Sequence, residues 1–454
     1  MEVVACVDFG STFTKAALVD VETGRLVASA SHRTTVDSDV LDGWDECLAQ
    51  LAAVQPRAAS AKVLACSSAG GGLRIGVVGN EELVTAEAGR RVALSSGGRV
   101  VHVASGGSTG PWLDALLQSR PDVVLLVGGT DGGNADVLLS CARTLADARW
   151  AGPVVVAGNV DARAEIGNLF DRVGTPTVLT DNVVPQIGKL RPESARAAIR
   201  EMFLRHVIGG KRLSERTDFT AMVRGATPDV VLTAVELLAT GLDEQRPGTG
   251  DVVVVDVGGA TTDVHSVVAL DPEDAGLGRE VVATVPVTRT VEGDLGMRWS
   301  AVSTVAEGIV SGLVEADGLT SAARVRRDDP AFLPPEEVEA RKDREIAGIA
   351  VSVALRRHAG RSQVVFGPDG RVVERSGKDL REVGLLVGSG GALRNSSDEA
   401  AHEILGKGIG DDPDGWQLPR DPRRVVDRDY VLAPAGLLAG ENPEAAYRLL
   451  QSLL

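Results

Sequence analysis

Three observations predict an α/β fold made of two related domains, with a small parallel α/β subdomain inserted in the first. Apolar strand-like runs recur along the chain, many ending in Gly, Asp or Asn and several leading into helical patterns, which puts sites at strand ends. A strand, a Gly/Thr turn and a second strand occur twice, as "VVACVDFGSTFTKAALVD" and "DVVVVDVGGATTDVHSVVAL". Between them the grammar changes to "RVVHVAS", "DVVLLVGG", "GPVVVAGN" and "TPTVLTDN", separated by helix-like segments such as "PWLDALLQS" and "NADVLLSCARTLADAR".

Taken in order, the opening reads as an antiparallel meander over residues 3–8, 16–20 and 26–30, with "ETG" at 22–24 as a hairpin turn. The β-α alternation over 99–182 implies a parallel sheet with right-handed crossovers. After it, "PESARAAIREMFLRHVI" has the spacing of an amphipathic helix. The proline-bearing "ATPDVVLTAVELLATG" precedes a Pro/Gly-rich linker, "EQRPGTG" at 244–250, where a new module begins. Beyond the second strand-turn-strand, "REVVATVPVTRTV" continues as a third strand. "PPEEVEARKDREIAGIAVSVALRRHAG" has helical spacing with charges of both signs on its outer face, and "VGLLVGSGGALRN" is a buried strand entering a glycine turn. The expected division is a first domain over 1–225 with the insertion at about 99–182, a second over 226–432, and a C-terminal helix at 433–454 that returns to the first.

Length and composition narrow the class. A chain of 454 residues exceeds one ordinary core. Its four cysteines (Cys6, Cys47, Cys66, Cys141) form no C-x-x-C, and three lie in or beside apolar runs, as buried reduced thiols do. A reducing, cytoplasmic setting is expected. No basic region or cleavage site precedes the first strand pattern, and no apolar run reaches the roughly 18 residues that span a bilayer, so a soluble protein without membrane partners is expected. The formal charge of −16, from 63 acids against 47 bases, repels phosphate backbones and argues against a nucleic-acid role. It leaves room for a bound nucleotide, because backbone N–H groups and Mg²⁺ hold small phosphates without a basic surface.

An offset of 248 residues carries Asp8 onto Asp256, Gly10 onto Gly258 and Thr14 onto Thr262, which marks an internal duplication. Each half offers a strand ending in Asp and a turn whose small residues let N–H groups and hydroxyls point at an anion. Two such hairpins facing each other would grip a polyphosphate from both sides. Asp8 and Asp256 then face the same phosphates, which makes sense with a divalent cation or an attacking nucleophile between them, and Mg²⁺ is favoured. Lys15 stands at the far side of the first turn, where its charge reaches a phosphate oxygen. Asp263 takes the matching place in the second half, so the halves are not chemically equivalent. In "VGSGGALRN", Gly388, Gly390 and Gly391 would let the backbone approach a flat ring such as adenine.

Other motifs give less. Neither a Walker A sequence nor a G-x-G-x-x-G fingerprint occurs. The six histidines and four cysteines show no metal-ligand spacing. His265 in "DVHSVV" reads as structural, since Val268 stands where a D-x-H-x-x-G motif needs glycine. "VGGTDGGN" at 127–134 reads either as a ligand loop through Asp131 and Asn134, or as a βα turn with Asn134 near the next helix's N-cap.

Phosphate hairpin, second hairpin and glycine-rich purine turn, in this order and spacing, resemble the actin, sugar-kinase and Hsp70 ATPase superfamily. "YVLAPAGLLAG" at 430–440 looks like the small-residue helix by which that fold returns to its first domain. "VDFGSTFTK", "LVGGTDGGN", "TDNVVPQIGKL", "TVEGDLGMR" and "YVLAPAGLLAG" together resemble, nearly end to end, the MutL/GlmL accessory-protein family of glutamate mutase and related adenosylcobalamin-dependent aminomutases. That family shares only a name with the DNA mismatch-repair protein. The resemblance implies duplicated actin-like (ribonuclease H-like) ATPase domains and an ATP-binding, chaperone-like protein that maintains or reactivates a radical mutase whose cobalamin is damaged. Its partners would be the mutase subunits. Asp8 and Asp256 would organise Mg²⁺ and the lytic water. Gly10, Ser11, Thr12 and Lys15 would bind phosphate from one side, and Gly258, Gly259, Thr261 and Thr262 from the other.

The resemblance has one departure. Hsp70-like members carry an acid beside a proline ahead of the second hairpin, whereas here Thr227 precedes Pro228 and Glu236 sits two turns on, so turnover is expected to be slow. Two other readings stay open. One is a small-molecule kinase of the same superfamily, with Glu292 or Asp294 of "TVEGDLGMRW" as base; the other is a nucleotide-binding module without turnover.

Overall fold

The computed structural model describes the chain apart from residues 70–71, 81–84, 106–111, 212, 270–284, 316–317 and 368–369, and describes the backbone alone over 364–367 and 370–376. The chain divides into two compact units, one mainly residues 1–234 with 433–449, the other mainly 235–432.

In the first unit β1 (Val3–Phe9), β2 (Phe13–Asp20) and β3 (Arg25–Arg33) form the antiparallel meander, and β4 (Lys62–Ser67) lies parallel to β1 on its other side. Every residue of β1 is buried, because neighbours flank both its edges and apolar side chains cover both its faces; its apolar run is that of a central strand, not of a half-exposed one.

The chain then enters β5 (Leu73–Gly79), β6 (Gly98–Ser105), β7 (Val123–Leu126), β8 (Val154–Val156) and β9 (Thr177–Leu179), an all-parallel sheet of order β6-β5-β7-β8-β9. This sheet takes in β5 ahead of the expected start at 99. The strand is masked in the sequence by glycines: a Cβ at Gly76 would lie 2.5 Å from Leu116, and one at Gly79 would lie 2.6 Å from Ala86. Helices press on the strand there, so packing, not turning, selects glycine. The strands divide their side chains between two cores. Val124, Leu126, Val154 and Val156 pack with Leu138 and Phe170, while Val123, Leu125, Val155 and Ala157 join the core that holds Val3 and Phe9.

The helix of "PESARAAIREMFLRHVI" runs over Glu193–Met202 and ends in a π turn, Phe203–Val207. Then β10 (Val223–Ala226) adds to β4 and completes a sheet of order β10-β4-β1-β2-β3. The chain leaves on the Thr227–Thr240 helix.

The second unit repeats the plan. A small hairpin, β11 (Gly241–Asp243) with β12 (Arg246–Pro247), precedes β13 (Val252–Val257), β14 (Thr262–Val267) and β15 (Val287–Glu292). A second hairpin, β16 (Arg361–Gly367) with β17 (Gly370–Ser376), precedes β18 (Leu385–Ser389) and β19 (Arg423–Val426). The large sheet has order β15-β14-β13-β18-β19. With β13 set on β1, the strand order and the parallel and antiparallel senses are those of the first sheet. This is the duplicated actin-like α/β fold.

The Glu337–His358 helix is charged in its first half, but over Ile346–Leu355 it is buried all round, where the sequence pattern suggested an outer charged face. Two helices close the chain, Leu432–Ala439 and Pro443–Gln451. Small residues suit the first: a Cβ at Gly436 would lie 2.0 Å from the Val230 carbonyl oxygen. Between the two, Glu441 pairs with Lys62 of β4 and with Arg224 of β10. Among the described residues no helix is long and apolar enough to cross a membrane.

Candidate functional site

Both strand-turn-strand units fold alike, atom for atom in their turn hydrogen bond. The Gly10 amide donates to the Phe13 carbonyl at 3.1 Å, and the Gly258 amide donates to the Thr261 carbonyl at 2.9 Å. Asp8 stands opposite Lys15 across β1 and β2, and Asp256 stands opposite Asp263 across β13 and β14. Only glycine fits the first turn position: a Cβ would lie 2.6 Å from Phe13 O at Gly10 and 2.8 Å from Thr261 O at Gly258.

In the first unit Ser11 and Thr12 are exposed at the turn and Lys15 is half-buried. The turn is braced from behind by Thr34, whose hydroxyl donates to Gly10 O at 2.8 Å and whose amide donates to Thr12 O at 3.0 Å. Asp8 is only 4% exposed. Its Oδ1 accepts from the Thr227 hydroxyl at 2.5 Å and from the Cys66 thiol at 3.6 Å. Burial, and then the Asp8 carboxylate, push the Cys66 thiol well above its ordinary range, so it stays protonated and donates.

In the second unit the turn is braced by the segment that follows β15. The Met297 and Arg298 amides donate to the carbonyls of Gly258 and Gly259 at 3.0 and 2.8 Å, and the Ser300 hydroxyl donates to Ala260 O at 2.6 Å. With its carbonyls held from this side, the turn keeps one orientation. Trp299 lies against it: a Cβ at Gly259 would sit 2.8 Å from the indole. Thr262 faces inward, and its buried hydroxyl donates to Leu295 O at 3.0 Å, which makes it a brace of the turn rather than a lining group. Thr261 remains at the turn, with its hydroxyl 3.4 Å from Asp263 Oδ2. Asp263 is held by Arg289 at 2.6 Å.

The three glycines of "VGSGGALRN" part company. Gly388 is buried in β18, and a Cβ there would meet Leu393 and Leu405 at 2.9 and 3.1 Å, so its smallness admits packing leucines rather than a ligand ring. Gly390 has φ +97°, and a Cβ there would lie 2.2 Å from Val257 O and 2.8 Å from Asp256 Oδ1. Gly391 is exposed, and a Cβ there would meet nothing nearer than Asn395 Nδ2 at 4.0 Å. The second unit therefore brings Asp256, the 258–261 turn and the 390–391 backbone together.

Other candidates are committed elsewhere. Arg357 binds Glu292 at 2.8 Å, Asp294 at 2.8 Å and Glu307 at 2.8 Å. Burial raises the Glu292 carboxyl above its usual range, and the Arg357 hydrogen bond lowers that of Asp294. In the 127–134 loop Asn134 accepts from the Asp136 amide at 2.6 Å at the start of the next helix. Asp131 Oδ1 accepts from the Val160 amide at 3.2 Å and from Asn182 at 2.9 Å. That loop is tied to the neighbouring strand ends, as a βα turn would be. His265 is buried and held neutral, chiefly by desolvation and then by Arg289. Among the described residues no group of three or more His, Cys, Asp or Glu side chains is placed to hold a metal.

Sequence reading missed Thr34, the donor role of Thr227, and residues 297–300. The last lie in or beside the motif "TVEGDLGMR", but main-chain amides leave no residue signature, and "RTT" at 33–35 carries none either.

Residues 4–454 match the profile of a family described as MutL protein. "Protein MutL" of Clostridium tetanomorphum is 36% identical over 471 residues, a match covering 100% of this chain and 99% of the relative. Among solved structures, nucleotide-free acetone carboxylase is similar at 15% identity and TM-score 0.38, over 89% of this chain and 67% of that one. The ethanolamine utilization protein EutJ of Carboxydothermus hydrogenoformans is similar at 11% and 0.30, over 99% and 90%. An activator of 2-hydroxyisocaproyl-CoA dehydratase from Clostridium difficile with bound ADPNP is similar at 10% and 0.29, over 98% and 95%.

Proposed function

We propose, for a chain that belongs to the MutL protein family, the role of an ATP-binding, chaperone-like accessory protein. It would maintain or reactivate an adenosylcobalamin-dependent mutase of the glutamate mutase type, with slow ATP hydrolysis. The observation that carries the nucleotide reading is the pair of turns closed by the same hydrogen bond in two like sheets, each beside an aspartate at its strand end.

In this reading the backbone of the two turns, with Ser11, Thr12 and Thr261, binds phosphate oxygens, and Lys15 adds a point charge. Thr262 supports from behind. Gly390 and Gly391 let the backbone lie close to adenosine, with Gly388 making room for the helix beneath. Asp8 and Asp256 are both carboxylates, the ligand type a hard cation takes. Mg²⁺, when bound, would neutralise the phosphate charge and orient water. Nucleotide state would bias a hinge closure of the two units, because a ligand gripped from both sides gains contacts on closing. The kinase alternative is less favoured, since Arg357 occupies both acids it would use as base.

The test is the melting temperature with Mg-ATP, Mg-ADP and EDTA. A ligand at 100 times its Kd adds about 2.7 kcal/mol, which is on the order of a few degrees. A magnesium-dependent rise is expected, followed by ATP-dependent recovery of an inactivated glutamate mutase. Absence of any shift removes the nucleotide site and with it the mechanism.

A further inference from the structure

We infer that Thr227 is a positioning residue for Asp8, an assignment that rests on the nucleotide reading above. Asp8 Oδ1 accepts from the Thr227 hydroxyl at 2.5 Å, and the Cys66 thiol approaches the same oxygen at 3.6 Å. Oδ2 lies 3.7 Å from where a Cβ of Gly10 would be, so it is the oxygen on the side of the turn. One oxygen is anchored by Thr227, and the other lies on the side of the turn. A charge-assisted hydrogen bond of this length fixes the carboxylate plane as well as its place.

The donor is itself fixed. Thr227 opens the Thr227–Thr240 helix, and Pro228 after it has its φ preset for a first turn. The helix start is seated on Gly97, whose φ is +77° and whose Cβ would lie 2.7 Å from the Asp229 amide nitrogen. Asp229, 1% exposed, binds Arg200 at 2.5 Å. Its Oδ2 is taken by Arg200, and the Thr227 hydroxyl is what the helix start offers Asp8. A carboxylate in place of Thr227 would bring a second acceptor against Asp8 Oδ1, and like charges that close cannot both stay ionised. The hydroxyl orients Asp8 by donating to it.

In hydrolysis the water oxygen bonds to the γ-phosphorus, the bond to the β,γ-bridging oxygen breaks, ADP leaves with that electron pair, and the water proton is released. Thr227 makes and breaks no bond in this step; it acts through Asp8.

The experiment compares wild type, Thr227→Val and Thr227→Ser in two measurements: steady-state Mg-ATP hydrolysis, and calorimetric ADP binding with and without Mg²⁺. Thr227→Val keeps the shape and removes the donor, and loss of one hydrogen bond to a charged group is expected to lower kcat about tenfold or more with KM within about twofold. The gain in ADP affinity that Mg²⁺ provides should shrink about as much, while metal-free ADP binding is unchanged. Thr227→Ser should restore both. Thr227→Val equal to wild type in both measurements overturns the assignment, and so does Thr227→Ser as impaired as Thr227→Val. Unfolding cannot mimic the expected result, because metal-free ADP binding reports an intact fold. Wild-type protein that binds no ADP overturns the nucleotide reading itself, and this inference with it.

Discussion

At the residue scale, the three glycines of "VGSGGALRN" show how one sequence motif divides into three physical jobs. Gly390 is where backbone conformation demands glycine: at φ +97° a side chain is strained, and its Cβ would meet Val257 O at 2.2 Å and Asp256 Oδ1 at 2.8 Å. A Cβ at Gly391 would meet nothing nearer than 4.0 Å. Gly390→Ala is therefore expected to cost about 2–4 kcal/mol in urea unfolding, from left-handed strain together with a displaced carbonyl or carboxylate, and Gly391→Ala to stay within about 0.5 kcal/mol. Equal effects of the two would mean that the β18 turn is free to relax. The sequence made the glycines conspicuous, yet could not separate these roles. Which side of β18 each position faces depends on Leu393, Leu405 and the end of β13, and β13 lies more than a hundred residues away in the chain.

At the element scale, the end of the Glu337–His358 helix is fastened to β14 and β15 by a buried polar cluster. His358 Nε2 lies 2.8 Å from Ser266 Oγ, and its Nδ1 lies 3.0 Å from Thr290 Oγ1. Lys378 Nζ donates to the same Ser266 hydroxyl at 3.2 Å, and Ser266 is 3.0 Å from Thr288 Oγ1. Burial, and then the nearby Lys378 charge, pull the His358 imidazole down to about 3. Its folded pKa is thus below the unfolded value of ~6.5. Above that value both states are neutral and the group contributes no pH dependence. As pH falls from ~6.5 toward 3 the unfolded chain takes up a proton that the folded chain refuses, so stability drops by up to ~1.4 kcal/mol per pH unit. His265, buried and also lowered, acts in the same direction. His358→Gln should flatten part of this slope in urea midpoints measured between about pH 7 and pH 5. An unchanged slope would show that His358 is protonated or solvated in the fold. The strands of this region were legible from their apolar runs. The cluster was not, since Ser266, His358 and Lys378 come from separate segments and only the fold assembles them. β5 escaped for the opposite reason, with glycines chosen for packing reading as turns.

At the scale of the whole molecule, the duplication decides what each half contributes. Each unit presents one turn and one aspartate at the same place in a sheet of the same order, so neither holds both halves of the proposed site. Among the candidate side chains Lys15 is the one cation, against Asp8, Asp256 and the neighbouring Asp263, in a chain of net charge −16. A bare polyphosphate would meet more repulsion than attraction, so a cation is expected to strengthen binding as well as to serve turnover. If each turn held its own anion, Asp8→Asn would remove one share of the thermal shift given by Mg-ATP and leave the share that depends on Asp256. If one ligand is held from both sides, either Asp8→Asn or Asp256→Asn alone should abolish most of that shift, and the double variant should add little, because groups acting as a unit are not additive. Melting curves of the two single variants and the double variant, each with Mg-ATP and with EDTA, distinguish these cases. Additive losses would show two independent anion sites and would leave nucleotide-driven closure without its lever.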